Sequence, residues 1–207
     1  FVNTGRRNLD LTYIVFNNGV YGLTKGQSSP TLRRGEQTKS MKAPSIQDDV
    51  NPIAMAVAAG YTFVARGYAM DTKSMKDILK RAIEHRGTAI IDVLQPCPVY
   101  NDLQTADYYA GRDLATAIPR VYKLEDEGFN PRVSDPGDIE EITKHKISAT
   151  TLSFEWGDRI PIGVFYQVDL PTLEDGFAGH RPNSPNSAVY KQAQAGQDVT
   201  GVLERFR

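Results

Sequence analysis

Thr88-Ala89-Ile90-Ile91-Asp92-Val93-Leu94 constrains the fold most, because a short, nearly continuous apolar run rich in β-branched residues has to be buried on both faces. It closes an alternation that starts upstream. The apolar run from Leu11 to Phe16 predicts a first strand, a short apolar helix follows Asn51-Pro52, Tyr61 to Arg66 predicts a second strand, and an amphipathic helix precedes Thr88. Strand, helix, strand, helix, strand with right-handed crossovers is the signature of a parallel doubly wound sheet, which sets the fold class as α/β.

Local signals bound the helices. Asn51 caps the first, Pro52 takes its first position, Ile53, Met55, Ala56, Val57 and Ala59 make it apolar, and Gly60 stops it. Asp71 or Thr72 caps the second, whose inward stripe is Met75, Ile78, Leu79, Ala82 and Ile83, and Gly87 ends it. Lys73, Lys76, Lys80, Arg81 and Arg86 fall mostly on the opposite face, which reads as solvated. His85 lies in the last turn, where a cation complements the helix dipole.

Residues 1–100 therefore read as one α/β domain, ended by the turn residues Gln95-Pro96-Cys97-Pro98. From Asn101 the periodicity weakens, with one helix predicted from Asp138 to Thr151 and one strand from Ile160 to Val168. Gly176 to Gln197 is rich in Gly, Pro, Ser, Asn and Gln and should lack a core of its own, while Val199, Val202, Leu203 and Phe206 suit a short terminal helix. Residues 101–207 are expected to be an irregular carboxy-terminal extension packing on the domain and on a partner subunit, with a frayed tail as the alternative.

Composition excludes several classes. A net charge of -1 carries no basic excess for nucleic acid, and no apolar run has the roughly 20 residues needed to span a bilayer. The single cysteine leaves no internal disulfide, so the simplest setting is cytoplasmic.

Chemistry is expected where the first strand ends, at Asn17-Asn18-Gly19-Val20-Tyr21-Gly22-Leu23-Thr24-Lys25-Gly26-Gln27-Ser28-Ser29-Pro30-Thr31. The carboxyl end of a strand is the usual ligand position in an open α/β sheet. Asn18 and the loop carbonyls offer neutral oxygens suited to magnesium, Thr24, Ser28, Ser29 and Thr31 offer hydroxyls, Lys25 offers a cation, and Gly22 and Gly26 let backbone approach an anion. On residue types alone, a phosphate and metal loop and an ordinary connecting loop both fit. The polar stretch from Gly26 to Val50 that follows is long enough to be functional or disordered rather than passive.

The exact string closely resembles the second half of the thiamine-diphosphate motif in the beta subunit of 2-oxoacid:ferredoxin oxidoreductases. The resemblance continues through Asp49-Val50-Asn51-Pro52, Ala59-Gly60-Tyr61-Thr62-Phe63-Val64-Ala65-Arg66-Gly67, Gln95-Pro96-Cys97-Pro98-Val99-Tyr100-Asn101 and Ile160-Pro161-Ile162-Gly163-Val164-Phe165-Tyr166-Gln167, covering most of the chain. It implies a thiamine-diphosphate-binding fold acting in coenzyme A-dependent oxidative decarboxylation of a 2-oxoacid. Electrons would pass through an iron-sulfur cluster to ferredoxin, and an alpha subunit would be the partner.

The resemblance also assigns roles. Asn18 is implied as the side-chain magnesium ligand and Val20 as the donor of a backbone oxygen, with Tyr21, Gly22, Leu23 and Thr24 around the cofactor and Thr24 on its diphosphate. Lys25 would face the 2-oxoacid carboxylate or the coenzyme A phosphates, where the residue alone reads equally as a solvent-exposed lysine. Cys97, by itself a small buried side chain, is implied as one thiolate of a four-iron four-sulfur cluster. Phe1 to Asn8 resembles the end of the helix after the strand bearing the Gly-Asp-Gly-Asp half of the motif. That half, with a metal-binding Asp and three further thiolates, is not in the sequence, so a carboxy-terminal piece of a longer subunit is expected, with Leu11 to Phe16 flanked by the absent strand.

Two other functions stand beside this one. A non-redox thiamine-diphosphate decarboxylase or synthase needs the magnesium loop but no thiolate near it, and an inactive scaffold chain needs neither. His85, His145 and His180 have no metal spacing, Asp48 and Asp49 read as a solvated turn, and no Ser-His-Asp order is present.

Overall fold

The computed structural model describes residues 1–180. The chain runs α1 (Val2–Arg7), β1 (Leu11–Asn17), the short strands β2 (Val20–Tyr21) and β3 (Gln27–Ser28), α2 (Pro52–Ala59), β4 (Phe63–Tyr68), α3 (Thr72–Glu84) and β5 (Thr88–Leu94). It continues through α4 (Ala106–Tyr109), β6 (Val121–Lys123), α5 (Ile139–Ser153), β7 (Ile160–Gln167) and α6 (Leu173–His180). The main sheet has the order β1-β5-β4-β7-β6.

β1, β5 and β4 are parallel, as the alternation requires, and β6 pairs parallel with β7. The sheet is not parallel throughout: β7 runs antiparallel to β4, with a register shift between Val64 and Ala65. All but the last residue of β7 is buried, so it fills the side of β4 that β5 leaves open without needing a crossover helix. Phe165 of β7 and Ala149 of α5 sit in one core cluster with Ile53, Val57 and Ile90, so the chain before and after Asn101 shares a core.

Pleat alternation sorts the two faces of the sheet. Phe63, Ala65, Ala89, Ile91 and Val93 face α3 through Ile78 and Ala82. Val64 and Ile90 face α2 and α5 on the other side. Helix α2 is capped as anticipated: Asn51 Oδ1 accepts from the Ile53 and Ala54 amides, and Gly60 closes the helix in the left-handed conformation at φ 86°.

Four expectations shift in detail. The second strand begins at Phe63 rather than Tyr61, because Tyr61 is buried and donates its hydroxyl to the Phe1 carbonyl at 3.1 Å. Helix α3 ends at Glu84, two residues before the position expected, since His85 adopts an extended conformation and turns inward. Ile83, assigned to the inward stripe, is exposed, because β1 is an outer strand of the sheet and covers little of α3; Met55 of α2 is exposed as well. The terminal-helix expectation at Val199 to Phe206 lies outside the described residues, as does most of the tail from Gly176.

His85 is structural, but not as a cation at the helix end. Its Nε2 lies 2.8 Å from Thr62 Oγ1, and burial pushes its pKa below the ordinary value while Asp169 and Asp10 pull weakly the other way. Unfolded chain therefore binds this proton more readily than folded chain, so stability rises with pH and is lost as pH falls below the unfolded value of about 6.5. The His85→Gln variant is expected to lose less stability than wild type on acidification through that range. Parallel loss of thermal midpoint in both proteins would refute the assignment.

Candidate functional site

The site is built at the carboxyl ends of β1 and β5, which are neighbours in the sheet. The Gln95 amide donates to the Asn17 carbonyl at 2.9 Å, which carries the parallel pairing one residue past the strand and holds the two following loops side by side. Beyond Asn17 the chain folds into the β2/β3 hairpin. Asn18 Oδ1 accepts from the Val20 amide at 3.1 Å, a side-chain turn that opens the hairpin.

The hairpin tip reverses tightly, with the Lys25 amide on the Gly22 carbonyl at 3.1 Å and the Gly26 amide on the Tyr21 carbonyl at 2.7 Å. Lys25 has φ 74° and Gly26 φ 99°. A lysine in the left-handed region is strained, and such strain concentrates at binding and catalytic loops. A Cβ on Gly26 would lie 2.6 Å from Ser40 Cβ and 3.0 Å from the Tyr100 ring, so the base of the tip is packed under both later loops. Leu23 is 98% exposed, Thr24 hydrogen-bonds Gln27, and the Lys25 ammonium has no ion-pair partner among the described residues.

Cys97 is a free, half-buried thiol in the loop after β5. Its carbonyl accepts from the Asn101 amide at 3.1 Å, and the Asn101 side chain donates to the Asn18 carbonyl at 2.9 Å. Asn101 is buried and its Oδ1 accepts from the Leu103 and Gln104 amides, so both polar atoms of its side chain are committed. The structure thus stitches the Asn18 loop to the Cys97 loop. The long segment after Gly26 braces the Cys97 loop: Lys39 bonds Asp102 through its amide at 2.8 Å and the Pro98 carbonyl through its ammonium at 3.3 Å. Burial pushes the Glu36 pKa up, while its hydrogen bonds from the Arg33 amide and the Gln104 side chain hold the segment in place.

Beneath the hairpin lies a charged row that local sequence patterns do not single out. Asp92 on β5 accepts from Arg66 Nε of β4 at 3.1 Å and from Asn17 Nδ2 of β1 at 3.0 Å. Arg66 is 2% exposed and Asp92 1%. The Arg66 guanidinium lies over the Phe165 ring at 5.3 Å and the Trp156 ring at 5.7 Å. One charged residue in each of two otherwise apolar strands is the available signal, since an unpaired buried charge is prohibitively costly and each therefore announces a partner.

Residues 1–93 match the family described as thiamine pyrophosphate enzyme, C-terminal TPP binding domain, and residues 97–181 match the family of the C terminal of the pyruvate ferredoxin oxidoreductase beta subunit. A 2-oxoacid:ferredoxin oxidoreductase subunit beta from Saccharolobus solfataricus is 55% identical over 214 residues, spanning 100% of this chain and 67% of the relative. The chain belongs to the beta-subunit family of 2-oxoacid:ferredoxin oxidoreductases. A beta subunit from Sulfolobus sp is 52% identical over 98% of this chain and 63% of that relative, so this family member spans about two thirds of the length of these relatives. Among solved structures, the 2-oxoglutarate:ferredoxin oxidoreductase from Magnetococcus marinus with 2-oxoglutarate, coenzyme A and succinyl-CoA bound superposes with a TM-score of 0.69 at 27% identity. The match covers 94% of this chain and 60% of that one.

The donor set of this beta-subunit family member suits magnesium held with a diphosphate. Asn18 Oδ1 keeps a second lone pair after accepting from Val20, and the hairpin backbone adds carbonyl oxygens, the hard neutral ligands magnesium takes when phosphates supply the charge. No group of three or more His, Cys, Asp or Glu among the described residues is placed to hold a metal. No helix among the described residues is long and apolar enough to cross a membrane.

Proposed function

We propose that this chain carries the thiamine-diphosphate loop and one cluster thiolate of an enzyme that decarboxylates a 2-oxoacid oxidatively, with coenzyme A as acyl acceptor and ferredoxin as electron acceptor. The observation that carries this reading is the Asn101 link between Asn18 and Cys97, which joins the loop read as binding magnesium to the loop read as binding the cluster. The alpha subunit of the same enzyme is the partner, and the cytoplasm is the setting.

Bound thiamine diphosphate supplies the carbanion chemistry of decarboxylation. Asn18 would hold magnesium through Oδ1 and Val20 through its carbonyl, while Tyr21 and Gly22 shape the hairpin that receives the cofactor. Thr24 would turn its hydroxyl from Gln27 to the diphosphate. Leu23, held out at the hairpin tip, presents an apolar surface to the cofactor and substrate, and Lys25 beside it meets the 2-oxoacid carboxylate or a coenzyme A phosphate. Cys97 contributes one thiolate to a four-iron four-sulfur cluster; it is the chain's only cysteine, so the other ligands come from elsewhere in the enzyme. A thiolate loop beside the magnesium loop favours this redox reading over a non-redox decarboxylase.

Lys25 gives the direct test. In the assembled enzyme, Lys25→Ala is expected to raise KM for the 2-oxoacid or for coenzyme A by roughly tenfold or more, the value of one charge-assisted contact, with the thermal midpoint unmoved because the side chain is exposed. Unchanged KM for both substrates would return Lys25 to the ordinary surface lysines.

A further inference from the structure

The row of buried Arg66 and Asp92 and half-buried Asn17 continues through hydroxyls with a fixed proton order. Thr31 Oγ1 donates to Asn17 Oδ1 at 2.6 Å, which uses its one proton, so the Ser29 hydroxyl 2.9 Å away must donate to Thr31. The orientation of the Asn17 amide follows: Nδ2 to the carboxylate, Oδ1 to Thr31. Asn17 is therefore held from both sides, and its neighbour in the chain is Asn18.

Stability does not account for this row. The Arg66 and Asp92 charges are stripped of water, and apolar residues of similar volume at such positions commonly leave a protein as stable or more so. Arg66 Nη1 has no hydrogen-bond partner among the described residues, and Arg66 lines a cavity of about 30 Å³ shared with Arg33, Asp49 and Trp156. What the charges do accomplish is directional. A carboxylate accepts from Arg66 with one oxygen and from Asn17 with the other, an arrangement that an amide at 92 would oppose with a donor on one side.

We propose that Arg66, Asp92 and Thr31 are positioning residues for the thiamine-diphosphate and magnesium loop, acting through Asn17 to fix where the backbone presents Asn18. The proposal rests on the function proposed above. Groups that orient a metal ligand without touching the metal typically change its affinity about 10- to 100-fold when removed, and that is the effect expected here.

The test uses the assembled enzyme, thiamine diphosphate and magnesium, reading the cofactor dissociation constant, the half-saturating magnesium concentration and the thermal midpoint. Thr31→Val removes the donor to Asn17 together with the acceptor for the Ser29 hydroxyl, and is expected to weaken cofactor binding by about 10- to 100-fold and raise the magnesium requirement with little change in midpoint, while Thr31→Ser restores both. The double variant Arg66→Met with Asp92→Leu is expected to match or exceed the wild-type midpoint and to show the same weakening. Wild-type affinity and magnesium dependence in Thr31→Val overturn the proposal, whether or not the double variant folds. Should wild-type enzyme itself fail to bind thiamine diphosphate, the functional reading falls and this proposal with it; binding by wild type with no response to Thr31→Val removes the positioning role alone.

Discussion

Asn18→Ala in the assembled enzyme is expected to weaken thiamine diphosphate binding by more than the about 10- to 100-fold typical of groups that only support a ligand, and to raise the magnesium concentration needed for half-saturation. The substitution removes the side-chain oxygen proposed to bind the metal directly. It also deletes the acceptor for the Val20 amide, a loss of about 1 kcal/mol in a half-buried turn. That local cost falls on an element outside the main sheet, so the thermal midpoint should move by little. Calorimetric titration separates the two consequences. Wild-type affinity in Asn18→Ala would remove the metal role and leave Asn18 as a turn residue.

The parts of this architecture that are legible in the sequence are those specified by neighbours in the chain. Asn51 and Gly60 bound α2 because cap chemistry acts over two or three residues, and β5 is plain from a seven-residue apolar run. The hairpin is legible as a polar loop after a strand, and its resemblance to a known family supplies the roles that residue types leave open. What escapes local patterns depends on contacts between distant segments. The antiparallel pairing of β7 with β4 leaves no signature in either strand, since both are buried on both faces.

The same holds for the site. Asn17, Asp92 and Arg66 meet only because β1, β5 and β4 are adjacent, and their separations along the chain are 75 and 26 residues. Asn101 opens a stretch of weak periodicity and yet ties two loops together. Ile83 misleads for the opposite reason: its helical spacing is right, but β1 is the sheet's outer strand, and Phe16 on it is itself 68% exposed. Periodicity reports which face is apolar and not whether another element covers it.

Under the proposed function, the Cys97 loop and the Asn18 loop form one site with separable duties, electron exit and magnesium binding. Cys97→Ser is the substitution that tests this, because serine keeps the backbone carbonyl that receives the Asn101 amide while replacing a soft thiolate with a harder oxygen. The link from Asn101 to Asn18 is therefore preserved, and cofactor binding should be as in wild type. The electron paramagnetic resonance spectrum of the reduced, assembled enzyme is the direct measurement. The expected result is a lost or shifted cluster signal and a collapse of ferredoxin reduction, with thiamine diphosphate affinity intact. A spectrum and ferredoxin reduction rate identical to wild type would contradict the claim, since Cys97 would then be a half-buried thiol with no part in electron exit.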